Sequence, residues 1–484
     1  KFNEKTILSV SSYVSNDEYD LGFDTIFNYS TKAISLEVNR ELSQSIYGSV
    51  KAFHSSYKSM LTDRTPNQGF IYENGIDASG LSLDFDYETD EASQWNFGTS
   101  VKISNYDNGS RKPNSNQSPI DTENFGILKG IESSAYVENN RKIGEKLSVS
   151  VGLRGSVFGI FQEDLFVLDP NAPKADREVI DTLSNNTYDF QYSNLEPRIT
   201  ANWTLNKTTS TKVNFTRSVQ YEHLFSSSPA SLPTDLWRPS TASVLPGIAN
   251  QFSIGFFKNL NDNFWNLSIE SFYKGFENVN IARTGAEILE NRLVDAEVVS
   301  AKGSSQGLEL MIRKNKGSIT GWLSYYYSQT VFQTNSDFRE DNINNGDAFA
   351  ADFDTPHNLN ISVNYQLSRL WSVASSFIYK TGRPVTIPVA SYTLSGLRVY
   401  DVSKRNNLRI PDTHRLDLSA TLEGSNKVNK RWRSSFTFSL YNLYGRKNPF
   451  SFVTLTENGI IPKAYKISVF GNVIPSFTYN FNFK

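Results

Sequence analysis

The chain contains no cysteine. That absence removes a disulfide framework, cysteine-ligated zinc and thiol catalysis. Histidine is scarce. His54, His223, His357 and His414 are the full set, and no two stand at a ligand spacing such as i, i+4. An excess of one charge sign is missing too. The 48 basic residues face 50 acidic ones, so there is no electrostatic footprint for a nucleic-acid partner. No stretch approaches 18 consecutive apolar residues, which excludes a transmembrane helix and says nothing about strands. Lys1 to Lys5 show no charged-then-apolar signal segment. Two methionines and few Ala-Leu-Glu runs argue against a helical protein. The hydrolase and nucleotide patterns G-x-S-x-G, H-E-x-x-H, Walker and G-x-G-x-x-G in a strand-helix setting are missing as well, and no cofactor is expected.

Aromatic residues are plentiful, at 13%, alongside abundant Ser, Thr and Asn. That mix favours strands and polar loops. The mean hydropathy of -0.42 suits a soluble protein, and equally a membrane barrel whose lipid-facing and lumen-facing residues alternate. Period-two patterns recur along the chain. Leu81, Leu83, Phe85 and Tyr87 share one face, and Ser82, Asp84, Asp86, Glu88 and Asp90 the other. Leu147, Val149, Val151, Leu153 and Val157 oppose Ser148, Ser150, Gly152, Arg154 and Ser156. Near the end, Phe477, Tyr479, Phe481 and Phe483 alternate with Ser476, Thr478, Asn480 and Asn482.

The alternation predicts about 18 strands, at 5–14, 30–42, 45–60, 79–90, 94–107, 127–142, 145–160, 194–206, 209–222, 248–260, 263–277, 303–315, 318–332, 356–367, 370–381, 413–424, 431–444 and 473–484. Most are longer than the five or six residues usual in soluble sheets and suit a tilted membrane strand. Short turns join alternate pairs: Ser43-Gln44, Glu91-Ala92-Ser93, Ile143-Gly144, Asn206-Lys207-Thr208, Asn261-Asp262, Asn315-Lys316-Gly317, Ser368-Arg369 and Ser425 to Lys430. The connections between those hairpins are expected to be long without exception. Short turns on one side and long polar loops on the other mark a transmembrane antiparallel up-and-down β-barrel of a Gram-negative outer membrane, an all-β fold in one domain over 1–484. Trp95, Trp203, Trp265, Trp322, Trp371 and Trp432 all lie near short turns, as a girdle at the lipid-water interface requires.

Several segments then resemble one family. Ala301-Lys302-Gly303-Ser304-Ser305-Gln306-Gly307-Leu308-Glu309-Leu310, Asp354-Thr355-Pro356-His357-Asn358-Leu359, Lys380-Thr381-Gly382-Arg383-Pro384, Arg409-Ile410-Pro411-Asp412-Thr413-His414-Arg415-Leu416-Asp417-Leu418 and Tyr441-Asn442-Leu443-Tyr444-Gly445-Arg446-Lys447-Asn448-Pro449 are similar to strand-end motifs of Bacteroidetes-type TonB-dependent receptors. Gln220 to Pro239 is similar to a loop seen there. The ordered match covers 210–484, and 1–209 matches in style only. The resemblance implies a barrel of about 22 strands filled by an N-terminal plug, with a segment ahead of it that engages TonB. On that count Lys5 begins the fifth strand, and the plug and first four strands are absent from this chain.

Candidate sites follow from the same segments. His357 and His414 fall in strand-end motifs, where rim hydrogen bonds are expected rather than a metal. Asp84, Asp86, Glu88 and Asp90 lack the glycine of a calcium loop and read as a lumen-facing stripe. Arg313, Arg415 and Arg433 are expected in lumen or rim ion pairs. The extracellular loop after strand 209–222 offers His223, Trp237 and Arg238 as ligand contacts, the last two beside stiffening prolines; packing of Trp237 against neighbouring loops or the plug is the competing role. No catalytic residue stands out. The resemblance implies an importer, coupled to TonB, for a siderophore, metal complex, glycan or peptide. Outer-membrane lipid, TonB through a missing segment, and a surface lipoprotein lid or other outer-membrane subunits are the implied partners, with no nucleic acid. The alternatives are a structural subunit of a surface complex, or a passive porin that would require strand 5–14 to pair with strand 473–484.

Overall fold

The computed structural model describes residues 5–20, 24–90, 92–161, 164–184, 189–226, 235–394, 397–401, 404–424, 432–449, 451–455, 463–468 and 470–483. Twenty strands share one sheet. Apart from the two-residue strands Glu123–Asn124 and Phe349–Ala350, they are β1 (Thr6–Asp20), β2 (Thr25–Ser43), β3 (Ile46–Asp63), β4 (Phe70–Asp90), β5 (Ser93–Pro113), β6 (Ile127–Ile143), β7 (Leu147–Phe161), β8 (Asp189–Asn206), β9 (Thr209–Gln220), β10 (Gly247–Leu260), β11 (Trp265–Ala282), β12 (Val298–Lys314), β13 (Ile319–Thr334), β14 (His357–Gln366), β15 (Trp371–Lys380), β16 (Thr413–Glu423), β17 (Trp432–Tyr441) and β18 (Ile474–Phe483). Each pairs antiparallel with the next in chain order. These are the strands the alternation predicts, one for one. Among the described residues β1 pairs only with β2 and β18 only with β17, so the pairing a porin of these strands requires is not made.

Burial shows which face is which. On β7, Val151 and Leu153 are 51% and 44% exposed while Gly152 and Ser156 are buried. Their cross-strand partners continue the stripe: Leu153 pairs with Val137 and Val151 with Ile199, both exposed. Phe252, Ile254 and Phe256 do the same on β10. A soluble sandwich would bury this face. An apolar outer surface with a polar inner one belongs in lipid. Asp84 lies on the inner face and accepts a hydrogen bond from Tyr136 at 2.9 Å, as the lumen-facing stripe requires.

Two connections differ from expectation. β1 runs on to Asp20 and β2 begins at Thr25, while β3 reaches Asp63 and β4 begins at Phe70. Both links are therefore short. The outward residues of these extensions are mostly polar (Asn16, Glu18, Asn28, Thr62, Glu73, Asp77), so the alternation signal ends with the lipid. The backbone ladder does not end there: Ile26 pairs with Asp20, and Thr25 with Asp63. The turn expected at Ser425 to Lys430 lies outside the described residues. The six tryptophans do share the short-turn end. By register Trp95, Trp203, Trp265 and Trp371 point outward, whereas Trp322 pairs with Arg313 and Ser362 on the inner face. A strand carries two faces at every level, and the position of a residue along the chain does not choose between them.

The motif residues converge at the long-loop rim. Arg409 forms an ion pair with Asp354 and donates to the Gly382 carbonyl at 3.1 Å. Asp412 accepts from the Gly382 N–H at 3.0 Å, and Arg446 donates to the Asp412 carbonyl at 3.0 Å. His357 bonds Tyr325, and His414 bonds Tyr444, at 2.8 and 2.7 Å. Arg415 pairs with Asp417 and lies 4.1 Å from the Tyr441 ring centroid. Arg313 and Arg433 are exposed and make no ion pair among the described residues. Gly303 and Gly307 leave room for rings: a Cβ on either would stand 2.5 Å from Phe332 or Phe272.

Lipid facing predicts an asymmetric response to charge. Leu153→Arg on the outer face of β7 should cost roughly 2–4 kcal/mol, and Ser150→Arg on its inner face under about 1 kcal/mol. Unfolding in lipid vesicles followed by the gel shift of the folded barrel measures both. Equal costs would refute the orientation.

Candidate functional site

The loops at the long-loop end are folded rather than loose. Phe225, Leu236, Val244, Ile288, Val294 and Val298 form a buried cluster above the wall, and Val299, Ala301, Phe332, Ile343, Phe349 and Ala351 a second one. The barrel's inner face is polar, so this cap is where a dry core can form.

Within the cap, Glu222–Phe225 pairs with Leu236–Pro239 as a two-stranded ribbon. The register sets His223 opposite Arg238 and Leu224 opposite Trp237. All three residues expected to meet a ligand thus come together in one ribbon, but on two faces. His223 and Arg238 are buried at 8% and 4% exposure on one face. His223 Nε2 lies 2.9 Å from Ser240 Oγ. Arg238 donates to Asn108 at 2.7 Å and to Asp295 at 2.6 Å. Asp295 is a hub, since it also accepts from Thr241, and its carbonyl accepts from Lys174 Nζ at 3.0 Å. Trp237 and Leu224 occupy the other face, where Trp237 is half-buried and Leu224 is 45% exposed.

Glu222 ties that ribbon to the inner wall. It accepts from Ser104 at 2.8 Å and Tyr106 at 2.7 Å, and pairs with Lys102 at 3.0 Å. The chain of charge continues along the wall. Lys102 pairs with Glu132 at 3.3 Å, Glu132 with Arg154 at 2.8 Å, and Arg154 with Glu196. Ser156 donates to Glu196 at 3.1 Å and shares a 2.8 Å hydrogen bond with Tyr221. Burial pushes the Glu222 carboxyl up, but Lys102, Tyr106 and Ser104 outweigh it and hold it below its usual value. No sequence motif marked this network. Its members stand on different strands, joined only by register.

Between the ribbon and the inner face of β2, β3 and β4 lies a cleft of about 460 Å³. Thr31, Ser55, Tyr57 and Ile76 line it from the wall, and Glu222, Leu224, Asp235 and Trp237 from the ribbon. Its size falls within the roughly 300–1,000 Å³ of small-molecule pockets. An aromatic platform, hydroxyls and carboxylates give it the means to bind and orient a ligand.

A family model described as "TonB dependent receptor-like, beta-barrel" matches residues 3–443. No curated protein sequence matches the chain. Among solved structures, the copper transporter OprC aligns at 11% identity and TM-score 0.66, covering 99% of this chain and 70% of that one. The ferric citrate transporter FecA aligns at 11% identity and 0.64, over 99% and 68%. The ferripyoverdine receptor of Pseudomonas aeruginosa aligns at 12% identity and 0.63, over 99% and 63%. At such identities the likeness shows the fold alone.

Two outcomes test the ribbon. Arg238→Ala leaves Asp295 buried without its cation, at a cost of roughly 3–5 kcal/mol, and should raise hydrogen exchange in Glu222–Phe225 and Leu236–Pro239 while leaving β4–β9 protected. Burial lowers the His223 pKa from 6.5 to about 4, so the unfolded ribbon binds the extra proton first. The stability from a neutral His223 is complete above about pH 6.5 and is lost as pH falls toward 4. Ribbon exchange should rise across that window, and His223→Gln should flatten the rise. An unchanged slope would show that another group titrates.

Proposed function

The chain belongs to the TonB dependent receptor-like β-barrel family, and from that premise we propose that it is the wall and extracellular cap of an outer-membrane receptor that takes up a ligand with TonB-coupled energy. The ligand settles in the cleft under the ribbon. Trp237 meets it there, while His223 and Arg238 hold the ribbon's other face and so fix where Trp237 stands. Strands that complete the barrel between β18 and β1, a plug that closes the lumen, and a segment that engages TonB belong to this reading. The single observation that carries the proposal is the cleft itself, an aromatic-lined opening held at the mouth of a lipid-facing wall by a folded cap. The fold neighbours are described as a copper transporter, a ferric citrate transporter and a ferripyoverdine receptor, which supports uptake as the activity. No step of covalent chemistry is involved.

A second reading is a structural subunit beneath a surface lipoprotein. It draws on Val389, Tyr392 and Leu394, which stand 51%, 54% and 61% exposed around the hairpin Ala390–Leu394 and Leu397–Asp401.

Growth on ferric chelates, oligosaccharides or peptides as sole iron, carbon or nitrogen source, in strains with and without the gene, tests the importer. Uptake of one nutrient should fall at least ~10-fold without the gene, and by as much with a protonophore. Uptake that survives the protonophore would leave a passive pore. No uptake phenotype with co-purification of a surface protein would leave the structural subunit.

A further inference from the structure

We infer that the ribbon cleft takes a neutral oligosaccharide, stacked on Trp237 and hydrogen-bonded by Asp235 and the hydroxyls of Thr31, Ser55 and Tyr57, rather than an anionic metal chelate. The inference rests on the receptor reading and narrows its ligand.

The first ground is the lining. Carboxylates, hydroxyls, an indole and aliphatic carbon face the cleft, and among its lining residues there is no lysine or arginine. Between Ser226 and Asp235 the sequence carries no charged residue. A ferric chelate bearing carboxylate or catecholate oxygens would bring negative charge beside the Asp235 carboxylate, and none of the cleft's lining residues is a cation. Such a desolvated like-charge contact opposes binding.

The second ground is where the cations are. Arg238 is committed to Asn108 and Asp295 behind the ribbon, and Lys102 to Glu222 and Glu132 below it. Four further arginines of the cap are paired as well: Arg111 with Glu290, Arg283 with Glu297, Arg405 with Asp352, and Arg409 with Asp354. These cations are neutralised within the fold, and none of them lines the cleft.

The third ground is the match to a sugar. A pyranose presents C–H groups on one face and hydroxyls around its edge. The negative face of an indole suits the C–H groups. Hydroxyl donors to a carboxylate make charge-assisted bonds stronger than neutral ones. A half-buried Trp237 beside exposed Leu224, with Asp235 buried at the cleft edge, supplies both kinds of contact.

The test titrates the purified full-length protein in detergent, by tryptophan fluorescence and calorimetry. The probes are neutral malto-, cello-, manno- and xylo-oligosaccharides, ferric citrate, a ferric tricatecholate and a lysine-rich peptide. At least one neutral oligosaccharide should bind. Trp237→Ala should weaken it by at least ~10-fold, and Trp237→Phe, which keeps a ring, by no more than ~3-fold. Asp235→Asn should weaken it several-fold, and unchanged protease resistance of each variant shows an intact ribbon. The inference is overturned if no neutral oligosaccharide binds, if Trp237→Ala leaves glycan affinity intact, or if a chelate or the peptide binds in a Trp237-dependent way. Loss of chelate uptake in Trp237→Ala cells would keep the importer and sink the sugar. Glycan binding in vitro without any energy-dependent uptake would keep the sugar site and sink the importer.

Discussion

Inside a hydrocarbon layer a peptide N–H or C=O without a partner costs several kcal/mol. Antiparallel strands answer that constraint by bonding each strand to the next, and the rest of the structure follows. Once every strand sits between neighbours, side chains alternate between lipid and lumen. The apolar half must go outward, as Val151, Leu153, Phe252 and Ile254 do. The polar half is forced together inside, where Lys102, Glu132, Arg154 and Glu196 meet across neighbouring strands. The ionic network on the wall is therefore a consequence of the backbone ladder. It exists because like-facing residues on adjacent strands have no other place to go.

A wall built this way has no dry interior of its own. Hydrophobic burial moves to the loops, where Phe225, Leu236, Val244 and Val294 make a core outside the membrane. That core fixes the ribbon from one side and Glu222 fixes it from the other. Trp237 is held over open space as a result. The cap also pairs Arg238 with Asp295 and Arg409 with Asp354, and the cleft left for a ligand is lined by aromatic, hydroxyl and carboxylate groups rather than cations.

Much of the strand plan was legible because its signal is strictly periodic. Leu81 to Tyr87 and Leu147 to Val157 show it at sight, and the corresponding strands are there. The signal stopped where the lipid stops, so the extensions of β1 to β4 were read as loops. Trp322 was placed at its correct level and its face was missed, because proximity to a turn does not state register. The rim motifs were recognised as segments, yet nothing in them said that Asp354, Gly382, Arg409 and Asp412 would close on one another.

The candidate site divides along the same line. Its loop was legible, since prolines, Trp237 and Arg238 stand out between two strands. The roles within it were not, because a two-stranded ribbon puts neighbours in sequence on opposite faces. Arg238 turns inward to Asn108 and Asp295 while Trp237 lines the cleft. By itself the sequence determined the chain's secondary structure, its orientation in lipid and the order of its strands, because these depend on local alternation and connection length. Only the tertiary structure decided which charges meet, which loops share a core and which residue faces the open cleft, because those contacts join positions that no local pattern relates.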